Sequence, residues 1–248
     1  CNREYEGDKL SESASTKVTQ PRPRLPAWWI PILAILWKDV LLEVRTRETI
    51  IPMLVFSFLV VIVFSFAIDP SPAFVEAVAP GVLWVAFTFA GILALNHSFA
   101  IEKEQGSMEG LMMCPVGRDL LYLGKMLGTF LFVLLVELIM LPIFAAMFNM
   151  PLFEPGLWLI IALATFGFAS VGAIFSAIAI NTKAKEVLLP ILFFPVAAPV
   201  IIAAAEATRA VLAGDPIGDY SRWLQLMAAF DVMFVVIASI TFDFVLGE

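Results

Sequence analysis

Six stretches of this chain are apolar over roughly the 20 residues that a helix needs to cross the hydrocarbon core of a bilayer. They are Ile50–Ile68, Pro80–Phe99, Met126–Phe148, Leu157–Ile180, Val187–Ala205 and Leu224–Leu246. A backbone in lipid has no water to bond, so only helices and closed barrels satisfy it. The runs are continuous and do not alternate, which selects helices over a barrel. Composition agrees. The 248 residues are 61% hydrophobic and 15% charged, with a mean hydropathy of +0.94, whereas soluble domains carry about 25% charged residues. The expected fold is an all-α integral membrane protein with six transmembrane helices.

The distribution of Lys and Arg orients these spans. Arg3, Lys9, Lys17, Arg22, Arg24, Lys38, Arg45 and Arg47 precede the first run. Lys103, Arg118 and Lys125 follow the second, and Lys183 and Lys185 follow the fourth. The connections Asp69–Ala79 and Asn149–Gly156 carry none, and Glu206–Arg222 carries Arg209 and Arg222. Thirteen of the 15 cations thus fall on one side and two on the other. Both termini are expected to be cytoplasmic.

Residues 1–26 are polar, with a Ser/Thr cluster and Pro21, Pro23 and Pro26. They lack the apolar core and small-residue cleavage site of a secretory signal, and the expectation is a disordered cytoplasmic tail. Residues 27–248 then form one six-span domain. At its start, in 27–48, Trp28, Trp29, Ile32, Leu33, Leu36, Val40 and Val44 recur at helical spacing, with Lys38, Asp39, Glu43 and Arg47 at polar positions. This pattern suits an amphipathic helix lying in the inner interface with its indoles at headgroup depth. The other reading is a helix packed on the bundle. Pro190, Pro195 and Pro199 in the fifth run are expected to kink it. The polar stretch after that run leaves Ala203–Leu212 as a short outer helix.

Several function classes drop out. A net charge of −7 leaves no basic surface for nucleic acid. Cys1 and Cys114 make no CxxC pair, Cys114 being expected as a free thiol, and His97 is the sole histidine, so no metal site is expected. A phosphate-binding loop needs Gly-x-x-x-x-Gly-Lys followed by Ser or Thr. Here Gly117 is separated from Gly124-Lys125 by six residues, and Met126 follows. The chain is therefore expected to have no catalytic residues and to draw its energy from a partner or an ion gradient.

Between the second and third runs lies a polar island: Ile101-Glu102-Lys103-Glu104-Gln105-Gly106-Ser107-Met108-Glu109-Gly110-Leu111, then Cys114-Pro115-Val116-Gly117-Arg118 and Gly124-Lys125. Gly106 and Gly110 permit turns, Ser107 can cap a short helix, and Pro115 ends it. Leu111, Met112 and Met113 would offer an apolar patch to a cytoplasmic partner. A plain solvated loop is the alternative.

Inside the spans, Glu137 falls 11 residues past Met126, or about 16 Å along a helix. A carboxylate at that depth faces a cavity or partner, or links helices through a hydrogen bond. Asp231 sits about two turns into the sixth run from its outer end. Glu206, at the outer end of the fifth, belongs to a gate or faces solvent. His97, beside Asn96 and Ser98, is a weak candidate for a haem ligand and otherwise a structural helix-end imidazole.

The order of residues in the island resembles the cytoplasmic loop of type-2 ATP-binding-cassette (ABC-2) permeases. With Ala79-Pro80-Gly81-Val82-Leu83-Trp84-Val85 at the second run, Gly172-Ala173-Ile174 in the fourth and the proline-rich fifth, the chain resembles one family in particular. That family is haem exporter protein B, the permease of the cytochrome c maturation transporter. The resemblance runs from about Trp37 to the C-terminus. It implies an ABC-2 permease fold in a bacterial cytoplasmic membrane, two copies per complex, a separate cytoplasmic ABC ATPase that binds ATP, and a haem-handling membrane subunit. Haem would be cargo of the complex, with no cofactor held by this chain. Glu102, Glu104, Gly106, Ser107, Glu109, Pro115 and Arg118 would sit where the loop meets the ATPase. Three readings compete with it: the same fold exporting a polysaccharide, lipid or drug; a proton-coupled secondary transporter using Glu137 and Asp231; and a non-transporting scaffold.

Overall fold

The computed structural model describes residues 29–68, 71–104, 118–151, 153–179 and 185–245. Seven helices lie among them: α1 (Trp29–Thr46), α2 (Ile50–Ala67), α3 (Pro72–Glu104), α4 (Arg118–Phe148), α5 (Pro155–Ala179), α6 (Lys185–Leu212) and α7 (Ile217–Val245). Helices α2 to α7 supply six segments long and apolar enough to cross a membrane. The chain is a multi-pass membrane protein. The tail expected in 1–26 lies outside the described residues.

Helix α5 is the hub and packs against α3, α4, α6 and α7. Its buried Ala164, Gly167, Ala169, Ala173 and Ala177 are small enough to bring neighbouring backbones close, which is how helices associate where lipid removes the hydrophobic drive. Polar ties fix the register. The Tyr122 hydroxyl donates to the Ser170 carbonyl at 3.0 Å, and Ser176 Oγ donates to the Leu95 carbonyl at 2.8 Å. Phe168 meets Phe193 edge-on, with centroids 4.5 Å apart. The periphery is apolar and exposed, as with Val55 and Phe58 on α2 and Val232 and Ile240 on α7. These faces suit lipid.

Three boundaries differ from the sequence expectation. Helix α3 starts at Pro72, so Pro80 lies inside it and does not open it. Helix α6 runs unbroken through its three prolines to Leu212, absorbing the short outer helix expected at Ala203–Leu212. Helix α7 starts at Ile217, so the polar connection shrinks to 213–216. There the chain turns at Gly214, whose φ of 79° is left-handed. Hydropathy marks where a helix meets lipid, but backbone bonding continues into water.

Helix α1 departs most from expectation. Asp39 and Glu43, assigned to its polar face, are buried with Ile32 and Ile35. This face packs on α4. Leu33, Trp37, Leu41 and Val44 point outward, with Trp37 69% exposed. Helix α1 therefore docks by its acids and presents its apolar stripe. Arg47, at φ 56°, ends it in a left-handed turn. Glu43 Oε1 then accepts the N–H groups of Thr49 and Ile50, at 3.0 and 2.8 Å, at the start of α2. These include orphan donors of a helix N-terminus.

Candidate coupling segment and intramembrane polar core

The polar island falls between α3 and α4, which pack against each other. Glu102 and Glu104 are in the last turn of α3, and Arg118 is the first residue of α4. Gly106, Ser107, Glu109 and Pro115 lie outside the described residues. Helix α3 has 33 residues and α4 has 31. At 1.5 Å per residue both exceed the ~30 Å hydrocarbon thickness. Each therefore links the island to the opposite side through one continuous helix.

Lys125 does not belong to the solvated island as the sequence suggested. It is 2% exposed and donates to Asp39 Oδ2 at 3.0 Å. The neighbouring Gly124 makes room for this contact. A Cβ there would come 2.9 Å from Ile35 Cγ2. Sequence reasoning missed the pair, although Ile32, Ile35, Asp39 and Glu43 share one helical face.

Glu137 is 2% exposed on α4 and accepts the Thr165 hydroxyl of α5 at 2.7 Å. It borders a cavity of about 10 Å³ shared with Trp84, Thr88, Phe168 and Phe230, room for about one water. Nearby, the Trp84 indole donates to Thr208 Oγ1 at 3.0 Å, tying α3 to α6. Asp231, on α7, is 5% exposed, and neither carboxyl oxygen has a hydrogen-bond partner among the described residues. Its Oδ1 presses on α5 at Gly167, where a Cβ would come within 2.3 Å. Thr165 and Gly167 are two residues apart, or about 200° around α5. The two carboxyl groups therefore address different faces of one helix and do not share a site.

His97 falls within α3, and its side chain lies outside the described set. Glu206 pairs with Arg209 near the C-terminal end of α6.

The arrangement comprises a helix-joined island at one end, a buried polar centre and an apolar perimeter. Its apolar perimeter is that of a membrane component. A family model described as CcmB protein matches residues 30–246. The chain belongs to the CcmB protein family. The match begins at Ile30, so it takes in α1 together with the six spans. Several curated relatives match over most of their length. The Heme exporter protein B of Pseudomonas aeruginosa is 32% identical over 196 residues, covering 79% of this chain and 88% of the relative. That of Paracoccus denitrificans is 29% identical over 187 residues, covering 74% and 85%. That of Rhodobacter capsulatus is 28% identical over 179 residues, covering 71% and 81%. The family resemblance read from the island, the Ala79–Val85 stretch and the proline-rich run is thereby borne out.

Proposed function

We propose that this chain is the permease subunit of a haem-export complex serving c-type cytochrome biogenesis. The observation that carries this reading is the CcmB match across residues 30–246, joined by relatives named Heme exporter protein B. The chain sits in the bacterial cytoplasmic membrane with both termini inside. Two copies assemble with a cytoplasmic ABC ATPase and a haem-handling membrane subunit. Haem is cargo of the complex, and ATP binds the partner.

The mechanism is mechanical. ATP-driven closure of the partner presses the segment from Glu102 to Arg118. Helices α3 and α4 carry the displacement outward. Their continuous lengths support this, and so does the Trp84–Thr208 bond that passes motion from α3 to α6. Either haem moves, or a haem-loaded chaperone is released at the outer face.

Charge reversal at Glu109 or Arg118 tests this reading. The variants are expected to insert normally and to lose the ATP turnover of the assembled complex. Unaltered coupled turnover would overturn the reading.

A further inference from the structure

Lys125 lies seven residues beyond Arg118, about 10 Å along α4 from the coupling segment. It is buried and held by an acid from another helix, a costly arrangement inside a membrane protein. We propose that Asp39 and Lys125 are positioning residues that join α1 to the inner half of α4, so that the two move as one body when the coupling segment is pressed. This rests on the reading of residues 102–118 as the site of ATPase contact and names what takes up the motion there.

Three observations converge. First, the ion pair spans 3.0 Å with Lys125 2% exposed, so separating the helices would strand a buried charge. Second, the helices interlock. Ile35 lies over Gly124, where a Cβ would come within 2.9 Å, and sliding would drive its side chain into neighbours larger than glycine. Third, the far end of α1 is tied onward, because Glu43 holds the Thr49 and Ile50 amides at the start of α2. On its exposed side α1 carries the apolar stripe of Leu33, Trp37, Leu41 and Val44, with Lys38 and Arg45 beside it. Fluid lipid against that stripe would resist a shift far less than packed protein. Helix α1 is thus bonded to α4 at its middle and to α2 at its end. A push on α4 reaches α2 through it.

A reversible lock tests this. Cysteines replace Ile35 and Gly124 in the full chain within its complex, with Cys1 and Cys114 changed to serine. Membranes are assayed for ATP turnover by the complex before and after oxidation. One-body motion predicts that the disulfide leaves turnover within about twofold of the reduced form, and a loss of about tenfold or more on oxidation would overturn the proposal. A wild-type chain with no complex-dependent turnover would sink the coupling reading itself, which separates the two failures.

A second set of variants decides the matter should the reduced cysteine pair be inactive. Asp39→Asn and Lys125→Gln are each expected to lower the yield of c-type cytochrome per ATP hydrolysed by about tenfold, with the ATPase still bound. With Lys38, whose Nζ lies 3.4 Å from Asp39 Oδ1, changed to alanine, the exchange Asp39→Lys with Lys125→Asp is expected to recover most of that yield. Single variants with undiminished yield would overturn the proposal, as would an inserted exchange variant without recovery.

Discussion

The Thr165 hydroxyl donates a 2.7 Å hydrogen bond to Glu137 Oε2, joining α5 to α4 in the interior of the bundle. Both groups are buried, and both border the cavity of about 10 Å³ described above. Thr165→Val keeps the shape and removes the donor. It is expected to lower stability in detergent by about 1 kcal/mol, within the range for interhelical hydrogen bonds in membranes. Glu137→Gln keeps an acceptor and should cost less. Thermal unfolding of the purified variants checks the order.

Asp231 and Gly167 fit only because position 167 has no side chain. A Cβ there would meet Asp231 Oδ1 at 2.3 Å. Gly167→Ala is expected to destabilise by about 1–3 kcal/mol through overpacking. Adding Asp231→Ala removes the clash and should restore most of the loss. The double-mutant cycle gives a coupling energy of compensating sign. Additive effects would show that the two do not press on each other.

Helix α1 presents Leu33, Trp37 and Leu41 outward while Lys38 remains 43% exposed by side chain. If the stripe meets lipid, cysteine at Trp37 or Leu41 will react slowly with a membrane-impermeant maleimide in opened membranes. Cysteine at Lys38 will react fast, because snorkelling cations sit at the aqueous edge. Equal rates at the three positions would place the stripe in water.

The six spans were legible because lipid demands apolar length, and that demand is written locally in the sequence. Their helical ends were less so. Glu76, alone in the otherwise apolar stretch 72–79, told of water, but not of whether the backbone stayed helical there. Asp39 and Lys125 were the least legible. They are 86 residues apart, and each looks like a surface charge in its own segment. Only the packing of α1 on α4 makes them a buried pair. Glu137 was picked out by depth alone, but its partner Thr165 is an ordinary threonine in an apolar run. The island itself was legible because a charged segment between two apolar runs stands out in the sequence, and its coupling role is part of the proposal.

The measurement that bears most directly on the proposed function is gentle extraction of the native membrane followed by identification of what accompanies this chain. A cassette ATPase together with a haem-containing membrane subunit is the expected result. Recovery of neither, even after crosslinking in the intact membrane, would contradict the proposal that this CcmB family member works as the permease of an ATP-driven haem-export complex.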